Sequence, residues 1–115
     1  MTSMTRLVAL GALLSFLAPP LYAEVRTVTG ELVDVSCYTR NQATGSGHAS
    51  CALKCAQGGA EVGILTDEGL LSVSGALVGS ETLLELLAAS VEATGDVMEK
   101  DGKLWINVQA IARTE

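Results

Sequence analysis

Strand, short helix, strand, strand, helix, strand, strand is the order of elements written in this sequence, and it predicts a mainly β fold: a small five-stranded barrel of OB type. Three observations carry that reading. The first strand is long and changes phase beside a glycine, as a strand serving two sides of a small barrel must. Two hairpin signals follow it, and a capped apolar helix lies between them. A short Cys/His-bearing helix is inserted after the first strand.

The first strand is predicted over Val25 to Tyr38, a Val- and Thr-rich run. Val28, Gly30 and Leu32 share one parity, whereas Val33, Val35 and Cys37 share the other. A one-residue slip of this kind next to Gly30 implies a bulge or a sharp coil. Asn41 to Gly47 is polar and glycine-bearing and reads as a flexible loop. His48 to Gln57 reads as a short helix that stops at Gly58-Gly59.

Val62 to Leu65 and Leu70 to Val73 flank Thr66-Asp67-Glu68-Gly69, a hairpin with a four-residue turn. Ser80 or Thr82 can cap the next helix, and Thr82-Leu83-Leu84-Glu85 fits a capping box. Val91 to Glu99 and Leu104 to Ile111 form a second hairpin around Asp101-Gly102. In the last strand Leu104, Ile106, Val108 and Ala110 should point one way, and Trp105, Asn107 and Gln109 the other. A faint echo, Thr29-Gly30-Glu31-Leu32 against Thr94-Gly95-Asp96-Val97, suggests similar bends in two strands rather than a duplicated unit.

The N-terminal stretch has a different character. Met1 to Arg6 carries one positive charge, Leu7 to Ala18 is apolar, and Pro19-Pro20 and Leu21-Tyr22-Ala23 follow. This is the three-part layout of a secretory signal peptide, so residues 1–23 are expected to be removed and 24–115 to form one barrel domain. The apolar run is shorter than the ~20 residues a membrane span needs, so no transmembrane anchor is expected after cleavage. The expected location is periplasmic or secreted.

Cleavage would remove one base and no acid, making the net charge one unit more negative than the −6 of the 115-residue chain. Phosphate backbones repel such a protein. Tyr38 and Trp105 are the aromatic residues left, a thin supply for stacking bases. Nucleic acid is therefore not an expected partner; a metal ion is, and a periplasmic protein can be.

The chemistry concentrates in HASCALKC, residues 48–55. The chain has three cysteines and one histidine, and Cys37 is the cysteine outside this stretch. On a helix, positions 48, 51 and 55 fall within roughly 60° of one another. A loop running back over the end of the first strand brings Cys37 to them. Cys37, His48, Cys51 and Cys55 then form a set of three thiols and one imidazole, and thiolates with a neutral imidazole suit Zn²⁺, Cu(I) or an iron–sulfur centre. Cys-x2-Cys-His is absent, which argues against covalently attached haem.

A disulfide is the competing reading, because an exported chain enters an oxidising space. Cys37 paired with Cys51 or Cys55 would close a loop of roughly 14 or 18 residues, worth about 3 kcal/mol in the chain-entropy model. Either pairing leaves one thiol over, whereas a metal uses all three. The protein would then be a disulfide-stabilised OB-type module that binds a ligand or a protein without metal, near Trp105 on the barrel face.

DVSCY (34–38), HASCALKC (48–55) and GGAEVGILTDEG (58–69) resemble a family of small exported bacterial OB-fold-like proteins with an Asp-x2-Cys-Tyr … His-x2-Cys-x3-Cys pattern. The resemblance covers most of the mature chain. It implies that Cys37, His48, Cys51 and Cys55 act together, and it supplies no reaction. The Cys51-x3-Cys55 spacing is also similar to that of the copper sites of oxidase subunit II and of the thioredoxin-like copper chaperones of oxidase assembly. Those proteins bring their histidine after the cysteines or from far along the chain, and their fold is not the one predicted here. The comparison adds copper as a candidate.

The remaining candidates are single residues. Asp34 can accept a hydrogen bond from a metal-bound histidine; an acid on a strand is more commonly solvated. Met98 can be a soft copper ligand or ordinary packing, and Tyr38 can cover the cluster or pack on the helix. No Ser-His-Asp set, phosphate loop or catalytic carboxylate pair stands in a recognisable motif, and the chain reads as non-enzymatic.

Overall fold

A computed structural model of the protein describes residues 24–114, so the expected signal peptide lies outside the described residues. Five strands form a closed barrel in the order β1-β2-β3-β5-β4. They are β1 (Glu24–Asp34), β2 (Val62–Thr66), β3 (Gly69–Ser74), β4 (Ser90–Lys100) and β5 (Lys103–Arg113). Helices α1 (Val35–Asn41) and α2 (Ala49–Gln57) are inserted between β1 and β2, and a one-turn helix α3 (Glu81–Leu84) lies between β3 and β4. This is the expected OB-type architecture.

The phase slip of β1 has the expected cause. Glu24 to Glu31 pairs antiparallel with β4, and Glu31 to Asp34 pairs antiparallel with β2, so one strand serves two walls. At the changeover, a side chain on Gly30 would run into the Leu65 carbonyl. Gly95 is the counterpart on β4, where a side chain would meet the Asn107 carbonyl beside a bulge between Thr94 and Gly95. The Thr-Gly-acid echo in the sequence thus marks two close crossings of barrel strands. Parallel pairing of β3 with β5, Val73 opposite Ile106, closes the barrel.

The bulge corrects the expected pattern of β5. Thr94 faces Ala110 and Gly95 faces Val108, leaving Gln109 without a counterpart. Parity therefore changes after Val108. Ile106 and Val108 share the buried side, but Ala110 is exposed and Ile111 packs against the core in its place. Asp101 and Gly102, at φ 56° and 77°, make the two-residue turn between β4 and β5. The first hairpin is tighter than expected: Thr66 pairs with Gly69, leaving Asp67 and Glu68 as the loop.

Leu32, Ile64, Val91, Ala93 and Ile106 are fully buried at the centre of the barrel. Each buried aliphatic side chain of this size stabilises by about 1.5–3 kcal/mol relative to exposure. Leu83 and Leu87 add to this core from α3 and the turn after it. The cap of α3 is Ser80, whose Oγ accepts the Leu83 N–H at 3.1 Å; Thr82 does not start a capping box. From the inserted helices, Ala52 is buried, with Leu53 and Ala56 packed beside it.

Candidate metal centre

The expected first strand stops short. It ends at Asp34, and Val35 to Asn41 is helical, so Cys37 lies in the first turn of α1 and not at a strand end. Asp34 causes the switch. Still extended at φ −79° and ψ 117°, it takes three donors on Oδ1: Ser36 N–H at 2.9 Å, Cys37 N–H at 3.1 Å and the Ser36 hydroxyl at 3.0 Å. Free N–H groups at a helix start are what such a cap satisfies. The alternation of Val33 and Val35 imitates a strand, but the side-chain cap decides the backbone.

Helix α1 ends at Gln42 in the left-handed conformation, φ 55°, with its N–H bonded to Tyr38 O at 2.6 Å. The expected flexible loop is shorter than Asn41 to Gly47 and is tethered. Gly45 N–H donates to Glu31 Oε2 at 2.6 Å, and Ser46 to His48 forms a 3-10 turn that leads into α2. Gly58 and Gly59 end α2 with N–H bonds to Lys54, Cys55 and Ala56 carbonyls, as the sequence predicts.

This path brings Cys37 of α1 against Cys51 and Cys55 of α2. Their sulfur atoms all lie within 4.8 Å of one another. Around one ion at ~2.3 Å from each sulfur, tetrahedral geometry places sulfurs ~3.8 Å apart, so a contraction of about 1 Å closes the triangle on a metal. The three side chains form a gradient from inside to outside: Cys37 buried, Cys55 half-buried, Cys51 exposed. All three are free thiols, and no disulfide joins them. A three-cysteine group of this kind can bind a transition metal ion.

His48 is not in that group. It precedes α2 at the cap position without making a side-chain cap bond, and its Nε2 is buried with no hydrogen-bond partner.

Asp34, read from the sequence as either an acceptor for a metal-bound histidine or a solvated acid, is fully buried. Its carboxyl lies beside the Cys55 thiol as well as capping α1. Burial pushes the Asp34 carboxyl up, but the Cys37 N–H, the Ser36 hydroxyl, the Cys55 thiol and the Ser36 N–H together hold it below the ordinary carboxylate range. The Cys55 thiol moves the other way. The adjacent Asp34 carboxylate, which favours the protonated thiol, then burial, then the charges of Asp34 and Cys37, push it up to about 11. These neighbours favour a protonated Cys55, and a bound cation would reverse that preference. The spacing Asp34-x-Ser36 is the one signal of this cap in the sequence, and the strand-like run around it conceals it.

The other single-residue candidates lie elsewhere or carry less. Met98 is exposed on β4, opposite Trp105. Lys103 Nζ sits 4.5 Å from the centre of the Trp105 ring, and Trp105, Ser74, Met98 and Lys100 line a shallow recess of about 260 Å³ on the barrel face. Asn107 and Gln109 are exposed, with Gln109 bonded to Asp96 at 3.2 Å. Among the described residues, no helix is long and apolar enough to cross a membrane.

No family model matches the chain, and no curated protein or solved structure matches it. Function therefore rests on the chemistry of the site.

Proposed function

We propose that this chain is an exported metal-binding protein, periplasmic or secreted, whose Cys37, Cys51 and Cys55 hold a transition metal ion, Cu(I) or Zn²⁺, in metal handling or electron transfer. One observation carries the reading: three thiols from two helices converge within 4.8 Å, with one of them open to solvent. Apolar packing does not require three thiols in contact. The exposed Cys51 gives an ion a way in and out, which suits a carrier better than a sealed structural site. The resemblance to the exported family with the same cysteine spacing supports export and joint action of these residues.

The test is metal content combined with thiol titration on the mature chain, purified from the periplasm without chelator. A stoichiometric metal, with three titratable thiols in unfolded, unreduced protein, is the expected result. One titratable thiol, and no uptake of Cu(I) or Zn²⁺ after reduction and anaerobic loading, would leave a disulfide-stabilised module instead. Mass spectrometry of the same sample should find an N-terminus near Glu24.

A further inference from the structure

Asp34 and Ser72 are the buried polar side chains of the described residues, and Asp34 is the charged one. A carboxylate with no exposure is costly unless a cation or a full set of donors meets it. Three donors meet Oδ1, but Oδ2 is buried with no hydrogen-bond partner. No cationic side chain answers it: the ion pairs among the described residues are Arg26–Glu68 and Lys103–Glu61. What does stand beside this carboxyl is the cysteine cluster. Asp34 holds the backbone N–H of Cys37, and the Cys55 thiol lies against it.

Capping α1 explains one oxygen. A serine or threonine would cap as well, without burying a second, unpartnered oxygen. We propose that Asp34 Oδ2 is the oxygen donor of a site with three sulfurs and one oxygen, completing four-coordination of a divalent cation of the zinc class by Cys37, Cys51 and Cys55. This rests on the metal-binding reading above and narrows it. Four-coordinate zinc takes thiolate and carboxylate donors together, and with three thiolates and one carboxylate the filled site has the same net charge as a four-cysteine zinc site. Cu(I) is content with two or three sulfurs, so it would gain nothing from the carboxylate. His48 is the rival fourth donor, since its Nε2 is also without a partner. Neither belongs to the 4.8 Å group that the three sulfurs form, so either would have to close in on the metal; Asp34 holds the Cys37 N–H, stands beside the Cys55 thiol and is fully buried, while His48 is partly exposed.

The experiment compares Zn²⁺ and Cu(I) affinities by competition with chelators, on reduced, anaerobic mature protein and on three variants. Asparagine caps a helix as well as aspartate does, so Asp34→Asn keeps α1 and removes the anionic oxygen. Zn²⁺ affinity should fall at least roughly tenfold in Asp34→Asn, and likewise in Asp34→Ser, while Cu(I) affinity stays within about threefold. Retained Cu(I) binding also shows that the variants fold and still assemble their thiols. The visible bands of the Co²⁺-loaded protein should shift in Asp34→Asn and remain unchanged in His48→Ala. Zn²⁺ affinity within about threefold of wild type in Asp34→Asn, equal losses for both metals, or a zinc loss that follows His48→Ala instead, would each overturn the assignment. So would a wild type that takes up Cu(I) but not Zn²⁺, which would leave the metal-binding reading intact; uptake of neither ion would end both.

Discussion

The barrel wall and the inserted pair of helices are built on opposite principles. In the wall, Leu32, Ile64, Val91, Ala93 and Ile106 exclude solvent completely, and every strand has two neighbours. In the insertion, α1 contributes Cys37 and α2 contributes Ala52 as the buried side chains, while Leu53 and Ala56 are only partly covered. The wall is stable through apolar burial. The insertion relies on single polar devices, the Asp34 cap and the Glu31–Gly45 tether, and on three thiols with no covalent link. A segment held so lightly can adjust to a ligand at modest cost, and that ligand can in turn fix it.

The wall should be the less forgiving region. Ile106→Ala in the barrel centre should cost about 2–5 kcal/mol, as a cavity is left in a core that cannot collapse around it. Leu53→Ala on α2, where the side chain is half-buried, should cost markedly less. Urea unfolding of both variants measures the contrast. Equal losses would show that α2 is part of the barrel core rather than laid upon it.

Metal should narrow the gap. A ligand that binds the folded state alone stabilises by about 2.7 kcal/mol at a free concentration a hundred times its Kd. Cys51→Ser and Cys55→Ser should each abolish tight binding, because both sulfurs sit on one short helix and set the geometry. Binding requires thiolates, so affinity should fall as pH drops. Hydrogen exchange with and without Zn²⁺ gives the most direct view: protection should rise across α1 and α2 and stay unchanged in β4 and β5. Uniform protection would mean that the insertion and the wall unfold as one unit.

The two glycine classes sharpen the comparison further. Gly95→Ala drives a methyl into the Asn107 carbonyl and should cost about 1–3 kcal/mol, or more if the bulge cannot shift. Gly47→Ala, in the insertion, meets nothing within 4 Å and should be neutral or stabilising by up to about 1 kcal/mol. Thermal melts of the two variants decide this.

The same contrast explains how far the sequence could be read. Alternation, hairpin glycines and the Gly30 slip are local signals, and the wall obeys them because its strands are long and its core is apolar. The bulge escaped because Gln109 carries no mark of being the extra residue, so Ala110 was expected on the same side as Ile106 and Val108. In the insertion, two readings of Asp34 to Tyr38 competed. Alternating Val33 and Val35 spoke for a strand, and Asp34-x-Ser36 for a cap; the cap prevails because three hydrogen bonds converge on one oxygen. The helical spacing of Cys51 and Cys55 was readable, and so was the approach of Cys37. The departure of His48 from the group was not, since a 3-10 turn ahead of α2 breaks the helical phase that would align it. The burial of Asp34 depends on tertiary packing and has no local signature.

The smallest effect is expected at the seam between the two regions. Glu61, a short way past α2, pairs with Lys103 at the start of β5, Oε2 to Nζ 2.9 Å. Burial pushes the Glu61 carboxyl up, but the Ser72 hydroxyl and Lys103 outweigh it and hold the group below its ordinary 4.5. A carboxyl lowered by folding lends stability that is fully present above its unfolded pKa and disappears as pH falls through its folded value. The contribution should therefore be constant near neutrality and fade below about pH 4.5. Both side chains are more than a third exposed, at 44% and 36%, so solvent screens the pair and its worth is at most ~1 kcal/mol. Glu61→Gln should lower the urea midpoint slightly at pH 7, and the difference from wild type should shrink steadily as pH falls below 4.5 and the wild-type carboxyl takes up its proton. Asp34 is also lowered by folding, so wild type and Glu61→Gln should both weaken in acid, and the difference between them isolates the seam. Added salt should shrink the difference at pH 7, as it does for exposed pairs. A difference that does not shrink as pH falls would mean that Glu61 supports the junction by packing beneath α2 rather than through its charge.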